Sequence, residues 1–596
     1  MKKYLSYFKF SIQNIAASLV SGWLTAVSLM LLIFSPAGVK VDFINDMSLV
    51  LFAVLVFCLS LPIIILDAYY KDKNISKYTL VISLVAFAFS LAVKRNDIYT
   101  YIVLAAVLLI AMYCLEKEVS PAFLHIDAEH KLTLSVTVTA AVLVIIIVAS
   151  ISVLRYFTYS APNYDFGIFC NMFYNMKHNL TANSTCERDE LLSHFAIHIS
   201  PIFYLLLPFY FIFPSPVTLA VLQPIIIFSG IIPVYLLSRR LKLSENATMF
   251  VSVVYALFTP LSSGCFYDLH ENCFLVPTLL WLFWAFESGK KFPMVVFTAL
   301  VLFVKEDAFV YIAVFAMYII ISRKRAKTGF TMLIAGGLYF IFAYVMLTKF
   351  GRGVMASRYS NLELDGGLLD AGKTLLMNFG YAVSDVLKTK KEDPQKFFYL
   401  AELIMPLAFI PFRSKKFSRY ILILPVFINL FTMYSYQYDI TFQYTFGISA
   451  FLIYLCLLNL ADMDKKEQEN NAFAAIILSA LLFSMIVLPK CGTYIGKYLS
   501  NHEDYKVMNE AVEMIPDDAS VTASTFFLPH LAKRSVIYED EYHDTPSTEY
   551  FVLDTRYKGS KDRDKKYIEA GYELIYEAKD KVKIYQQKDL SKVTDK

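Results

Sequence analysis

Asp165 is a carboxylate set among aromatic residues in the stretch APNYDFGIFCNMFYN, directly after a long apolar run. An ionised side chain close to a membrane face is costly unless it is hydrated, paired or used in chemistry. Ionisable residues in such places therefore indicate a functional site. The alternative is an ordinary acid of a solvated loop, and the residues alone leave both readings open.

A second polar cluster, YDLHEN, places Asp268, His270 and Glu271 within four residues. Carboxylate and imidazole groups at this spacing can hold a divalent cation such as Mg²⁺ or Mn²⁺ beside a phosphate. The alternative is an interfacial loop in which His270 and Glu271 face water. No other cofactor is indicated.

Charged residues also interrupt two further apolar regions. Lys305, Glu306 and Asp307 stand together in FVKEDAF, which predicts either a tight external turn or a polar site within a helix bundle. Arg352 and Arg358, in KFGRGVMASRYSN, are candidate phosphate ligands because a guanidinium group matches phosphate oxygens in a bidentate way. Arg352 is equally well explained as an interfacial anchor of the preceding span.

Two histidines and one aromatic cluster complete the candidates. His194 and His198 have the i, i+4 spacing of zinc ligands, but HFAIH lacks the glutamate of a zinc-protease helix. We expect them instead on the polar face of a helix that lies along the membrane. Tyr436 and Gln437, in YQYDITFQY, are candidate pocket residues on the same side of the membrane.

These residues must be positioned by membrane-spanning helices. The chain has 596 residues, of which 57% are hydrophobic and 18% charged, with a mean hydropathy of +0.52. Many apolar runs approach the roughly 20 residues that a helix needs to cross a bilayer. The sequence therefore predicts an all-α polytopic membrane protein. It shows no P-loop, nucleophile elbow or dinucleotide fingerprint.

The basic clusters SRRLK, SRKRAK and RSKKFSR define a topology, because basic loops stay in the cytoplasm. All of them are cytoplasmic if residues 194–214 do not span but form a juxtamembrane helix. We then expect about 15 spans, a cytoplasmic N-terminus and an extracytoplasmic C-terminus. Asp165 and the other polar clusters all fall on the outer side.

We expect three regions. Residues 1–133 form accessory N-terminal transmembrane helices, residues 134–490 form the transmembrane core with an external loop at 155–214, and residues 501–596 form a small extracytoplasmic α/β domain. In that domain DDASVTAS, RSVIYE, EYFVLDT, YELIYEA and KVKIYQQ are predicted to be strands. Cys170 with Cys186, and Cys265 with Cys273, are either disulfides or free thiols.

The motifs YDFGIFCNMFYN, HFAIHISPIFYLLLPFYFIFPSPVTLAVLQ, YDLHEN and FVKEDAFVYIAVFAMY resemble the bacterial membrane family known as domain of unknown function two thousand and seventy-nine. That family is similar to the GT-C superfamily of integral membrane glycosyltransferases. The resemblance runs from about residue 150 to residue 460, with a family-like outer domain behind it, and leaves the four leading spans unexplained.

The resemblance implies a GT-C-like core with juxtamembrane helices in its first external loop, and it assigns roles to the candidate residues. Asp165 would be the catalytic base. Asp268, His270 and Glu271 would bind a cation or orient substrates, while Lys305, Arg352 and Arg358 would hold phosphate; the remaining pocket candidates are Glu306, Asp307, His194, Tyr436 and Gln437.

The resemblance further implies a polyprenyl-phosphate sugar donor, which reaches the site from the membrane lipid, and a cell-envelope acceptor at the outer face of a bacterial plasma membrane. No nucleic-acid partner is expected. The alternative function is that of a non-enzymatic membrane carrier or envelope-assembly protein that kept a GT-C-like fold. Such a protein would tolerate the loss of Asp165.

Overall fold

The computed structural model describes residues 11–34, 48–70, 74–95, 97–118, 125, 127–353, 356–362, 368–387, 395–557, 559 and 563–589. Most of them are helical, as expected, and a small sheet lies near the C-terminus. Nine segments of the described chain are long and apolar enough to cross a membrane, and three shorter apolar helices accompany them. The total of about 15 spans therefore stays a prediction.

In the described part of the chain, five helices precede Asp165, and they coincide with predicted hydrophobic runs. They are α1 (Ile12–Phe34), α2 (Leu49–Tyr69), α3 (Ile75–Lys94), α4 (Ile98–Glu118) and α5 (His130–Phe157). The 28 residues of α5 extend over about 42 Å, enough to cross a bilayer and bring Phe157 beyond its far side. This helix leads directly into the segment that carries Asp165.

The segment after α5 contains a π-helical turn (Asn163–Gly167), α6 (Ile168–Asn179) and the short antiparallel strands β1 (Asn183–Ser184) and β2 (Leu192–Ser193). The expected continuous helix over 194–214 is wrong. The structure instead has 3₁₀ turns at His194–Ala196 and Pro201–Leu205, followed by the short α7 (Leu207–Ile212). Pro201 and Pro208 lack the amide hydrogen that a continuous helix needs, and each stands at the start of a new element.

Within the ranges that the structure describes, thirteen helices of the central bundle follow α7. They are α8 (Pro216–Ser229), α9 (Ile231–Arg240), α10 (Glu245–Leu257), α11 (Thr259–Gly264), α12 (Leu275–Glu287), α13 (Lys291–Leu302), α14 (Phe309–Ile321), α15 (Ala326–Phe350), α16 (Leu368–Met377), α17 (Phe379–Leu387), α18 (Gln395–Ile404), α19 (Leu424–Leu430) and α20 (Phe446–Leu460). Every residue of α20 is buried, so this apolar helix forms the centre of the bundle. It packs on α12, and α5 packs on α8 and α10.

Helix α21 (Lys465–Ser500) links the bundle to the C-terminal domain. Its 36 residues span about 54 Å, longer than a bilayer requires. Asp464 caps its N-terminus by accepting a hydrogen bond from the Glu467 amide. The last turns of α21 therefore carry the chain out of the bundle.

The C-terminal domain forms its strands within the five stretches that the sequence predicted. After α22 (His502–Glu513) come β3 (Val521–Ala523), α23 (Leu528–Leu531), β4 (Ile537–Glu539), β5 (Tyr550–Asp554), α24 (Lys565–Glu569), β6 (Tyr572–Ala578) and β7 (Val582–Gln587). The sheet order is β4-β3-β5-β7-β6. Strand β3 pairs in parallel with β4 and β5, whereas β7 pairs antiparallel with β5 and β6.

Candidate active site

Asp165 lies in the π-helical turn Asn163–Gly167, a geometry that is rare outside functional sites. A Cβ atom at Gly167 would lie 2.4 Å from Oδ1 of Asn163, so a larger residue there would displace the Asn163 side chain. Two hydrogen bonds to the C-terminal domain fix the turn. The backbone amide of Asn163 donates to Oγ1 of Thr525 (3.0 Å), and the side-chain Nδ2 of Asn163 donates to Oε2 of Glu539 (2.8 Å). The domain therefore positions the turn that carries Asp165.

Further contacts seat the C-terminal domain on the 155–194 segment. Oγ1 of Thr185 donates to the Ile537 carbonyl (2.6 Å) and accepts from the Ile537 amide (2.9 Å). The His530 ring is stacked between Tyr156 and Tyr159, with centroids 4.1 and 3.7 Å away. Burial lowers the pKa of His530 to about 3, so this ring is neutral at physiological pH.

A polar cavity of about 520 Å³ lies between this segment, the core loops and the C-terminal domain. Its wall combines acidic, basic and imidazole side chains from all three. Its acidic, basic and imidazole members are Asp165, Glu187, Arg188, Asp189, His194, His198, His270, Lys305, Arg358 and Glu539. Five regions distant in sequence thus converge on one chamber. Among the residues singled out from the sequence, Asp165, His194, His270, Lys305 and Arg358 lie in its wall.

Asp165 is half-buried in this wall and accepts a hydrogen bond from the Tyr267 hydroxyl. Burial, reinforced by the negative charge of Glu271, raises its pKa to about 8. The carboxyl group therefore exchanges its proton close to physiological pH. This is the property that a general base or acid requires.

Glu271 is fully buried behind the cavity wall, where it contacts two residues of that wall, Lys305 and His270. Lys305 Nζ lies 3.1 Å from Oε1 of Glu271, and Nδ1 of His270 lies 3.2 Å from Oε2. Burial alone would raise the pKa of Glu271, but the ammonium group of Lys305 beside it holds that pKa well below its usual range. Burial lowers the pKa of His270 to about 3, so the charge on Glu271 is balanced by Lys305.

Asp268 has a different partner from its neighbours in YDLHEN. Its Oδ1 accepts from Nη1 of Arg155 at 2.7 Å, and the same guanidinium group donates to the carbonyl oxygen of Phe266. Asp268 adopts a left-handed backbone conformation (φ 85°) and is 6% exposed. It is absent from the described residues that line the polar cavity. Here it fixes the loop to the end of α5.

An apolar cavity of about 370 Å³ adjoins the polar one. Leu275, Val310, Phe340, Ile428 and Phe431 are among the residues that line it. Glu306, Asp307 and Gln437 also lie in its wall. Glu306 accepts from the Ile199 amide (3.1 Å) and contacts Nδ1 of His198 (2.9 Å), so its charge is paired.

Four residues line both cavities: His198, Lys305, Arg358 and Tyr444. Arg358 lies over the rings of Tyr434 (4.5 Å) and Tyr444 (5.2 Å), a cation–π arrangement that orients its planar guanidinium group. The border between the polar and apolar cavities thus carries two cationic side chains.

The other candidates lie apart from this border. Arg352 pairs with Glu190, and both side chains are largely exposed. Tyr436 is 46% exposed and packs on Tyr434 and Phe442. His194 lines the polar cavity and contacts Glu187 (3.2 Å); this carboxylate outweighs burial and raises the pKa of His194.

The side chains proposed for a cation do not converge on a metal site. Within the described ranges, no three His, Cys, Asp or Glu side chains are close enough to hold a metal ion. Asp268 is bound to Arg155 and Glu271 to Lys305, so both carboxylates already have cationic partners. This arrangement does not fit a divalent cation.

All eight cysteines are described, and each is a free thiol.

Several wall residues were missed from the sequence, most of them in the C-terminal domain or next to it: Glu187, Asp189, Glu539, Tyr542 and Tyr444. One signal for Glu539 was available. It is the last residue of β4, and sites in sheets with parallel strands gather at the carboxyl ends of those strands.

Comparison with known proteins agrees with the membrane character of this fold. No curated protein matches the chain. The model of one family, described as a predicted membrane protein (DUF2079), matches residues 155–581, from the end of α5 to the last strand pair of the C-terminal sheet. The chain belongs to this family of predicted membrane proteins.

Proposed function

We propose that the protein is a membrane glycosyltransferase that moves a sugar from a polyprenyl-phosphate donor to a hydroxyl group of a cell-envelope acceptor. One observation carries the proposal: a polar cavity with an acid of pKa about 8 and an apolar cavity meet at a border that holds Lys305 and Arg358. A polyprenyl-phosphate sugar has three corresponding parts in the same order: a polar sugar, an anionic phosphate and an apolar chain.

The donor would lie across both cavities. Its polyprenyl chain takes the apolar cavity, where burial of hydrocarbon is favourable by about 25 cal/mol for each Å² removed from water. Its phosphate meets Lys305 and Arg358 at the border. The sugar then projects into the polar cavity, beside Asp165.

The transfer step balances without a metal ion. The acceptor hydroxyl gives its proton to the Asp165 carboxylate as its oxygen forms a bond to the anomeric carbon of the sugar. The bond from that carbon to the phosphate oxygen breaks, and its electron pair leaves with polyprenyl phosphate. Lys305 and Arg358 stabilise the charge that develops on the departing phosphate.

The proposed site lies on the outer side of a bacterial plasma membrane. Arg239, Arg240, Arg323 and Lys416 lie at helix ends or in loops of the core, away from the cavity wall. The positive-inside rule assigns those ends to the cytoplasm, which supports an outer position for the cavity and the C-terminal domain.

The test is a transfer assay. The purified full chain in lipid is incubated with polyprenyl-phosphate sugars labelled in the sugar, together with extracted envelope polymers, lipids and proteins. We expect label in one acceptor class and an equal amount of released polyprenyl phosphate. If label crosses the vesicle membrane but no glycosidic bond forms with any donor, the protein is a carrier and the proposal fails.

The pH dependence of transfer reports on Asp165. Because a base must be ionised, and because burial raises the pKa of Asp165 to about 8, we expect kcat/KM to rise with pH and to reach half its maximum near pH 8. Rates measured from about pH 6 to about pH 9 on a stable preparation give the profile. A half-maximum near pH 4, the range of an exposed carboxylate, would contradict the role.

Donor binding should depend on the shape of Arg358 as well as its charge. In Arg358→Lys the charge remains, but the planar group that lies over Tyr434 and Tyr444 is lost. We expect the Kd for a non-transferable polyprenyl-phosphate analogue to rise about ten-fold or more. Arg352→Lys, at the surface pair with Glu190, is the matched control and should leave the Kd unchanged.

A further inference from the structure

A third cavity, remote from the proposed active site, lies between the N-terminal helices and the core. We name it the helix-end groove. It has a volume of about 450 Å³ and is bounded by α3, α4, the loop at Arg413 and α21. Among the described residues, none lines both this groove and the polar or the apolar cavity.

Polarity changes along the groove in the direction of the helix axes. Lys117 lies in the last turn of α4 and Glu467 in the first turn of α21, so the charged groups lie at helix ends. Ile477 lines the groove ten residues further along α21, about 15 Å deeper into the bundle. A polar end and an apolar depth of this length match one phospholipid molecule aligned with the bilayer.

The charged end of the groove contains two basic side chains, Lys117 and Arg413, and two acidic side chains, Glu116 and Glu467. Both cations contact neutral groups. Lys117 lies over the Tyr113 ring at 5.6 Å, and Arg413 donates to the side-chain oxygen of Asn471. The guanidinium and ammonium groups therefore retain donors for a phosphate.

We propose that the helix-end groove binds one phospholipid whose headgroup carries both a phosphate and a primary ammonium group. The phosphate contacts Lys117 and Arg413, and the ammonium group donates to Glu116 and Glu467. The acyl chains lie along α3, α4 and α21, where Val85, Leu109 and Ile477 form the wall.

The two carboxylates decide between headgroups. A phosphatidylglycerol headgroup is anionic and would leave Glu116 and Glu467 facing a negative charge without a counter-ion. A choline headgroup is cationic but has no N–H to donate to them. Phosphatidylethanolamine has a phosphate that accepts hydrogen bonds from the two cations and an ammonium group that donates to the two carboxylates.

The location gives the lipid a role that the family match does not cover. Two of the walls, α3 and α4, precede the matched region, which begins at residue 155, and α21 lies within it. A bound lipid would fill the gap between these parts and connect them by contacts to both.

The experiment compares lipids on the purified full chain after delipidation. Native mass spectrometry with equal amounts of phosphatidylethanolamine, phosphatidylglycerol and phosphatidylcholine should show retention of one phosphatidylethanolamine, at about ten-fold higher occupancy than either competitor. This comparison requires no variant. Equal occupancy by the three lipids, or preference for phosphatidylglycerol, would overturn the proposal.

Variants then locate the site. Lys117→Ala with Arg413→Ala should lower phosphatidylethanolamine occupancy about ten-fold, whereas Lys290→Ala with Lys291→Ala, which removes two lysines outside the groove, should leave it unchanged. Unchanged retention in the first pair would place the lipid elsewhere and refute the assignment. If this double variant does not fold, the lipid selectivity of the wild-type protein still tests the headgroup assignment.

Discussion

Replacement of Asp165 by asparagine is expected to lower the rate of sugar transfer about 10² to 10⁴-fold, the usual contribution of a positioned base. Asparagine has nearly the same shape and still accepts the hydrogen bond from Tyr267, but it cannot take the acceptor proton. The rate is measured with labelled donor at saturating acceptor. Donor binding, which depends on Lys305 and Arg358, should change little.

Asp544→Asn is the matched control, because Asp544 is an exposed acid of the C-terminal domain outside the cavity wall. Its transfer rate should equal that of the wild type. Loss of folding is a separate outcome that the melting temperature detects. Transfer by folded Asp165→Asn at the wild-type rate would remove Asp165 from the mechanism and favour a carrier.

The pH dependence of stability also distinguishes a variant that misfolds from a variant that has lost only its base. Burial raises the pKa of Asp165 in the folded state, so the folded protein binds this proton more tightly than the unfolded chain does. The stability contribution of Asp165 therefore falls as pH rises from about 4 to about 8. Asparagine does not ionise, and Asp165→Asn should melt no lower than the wild type near pH 9.

Much of this arrangement could be predicted because it depends on local pattern. Apolar runs predicted the first five helices described here, and short strand-like stretches predicted all five strands of the C-terminal sheet. Asp165 and Lys305 were singled out because a charged residue next to apolar segments is expensive, and His270 because it belongs to the polar cluster YDLHEN; the structure places all three in one wall.

The remaining features depend on long-range packing that a sequence pattern does not contain. Asp268 and Glu271 are three residues apart and have similar chemistry, yet one pairs with Arg155 on α5 and the other with Lys305 after α13. Glu539 joins the wall from more than three hundred residues beyond Asn163. Local periodicity cannot indicate which of two neighbouring acids will face which helix.

The pair Glu271–Lys305 should be the strongest electrostatic determinant of stability in the site. Both side chains are buried, and their charges balance each other at 3.1 Å. Glu271→Gln leaves the Lys305 ammonium group buried beside a neutral amide. We expect a loss of about 3 to 5 kcal/mol in the free energy of unfolding, as is typical when one partner of a buried pair is removed.

The surface pair Asp370–Lys373, at 2.7 Å, provides the matched control, since its lysine is largely exposed. Asp370→Asn should cost less than about 1 kcal/mol, because water already solvates that lysine. Equal losses in Asp370→Asn and Glu271→Gln would show that burial does not strengthen the Glu271–Lys305 interaction.

A double variant removes both charges of the Glu271–Lys305 pair. In Glu271→Gln with Lys305→Met neither charge of this pair remains, so we expect the double variant to be more stable than Glu271→Gln alone by about 2 kcal/mol or more. Denaturant unfolding of the four proteins of this cycle measures the coupling. A double variant whose losses simply add would mean that the two side chains act independently, although they lie in contact. Restored stability without restored transfer would instead separate the two functions of Lys305: it balances Glu271 in the fold, and it holds the donor phosphate at the border of the two cavities.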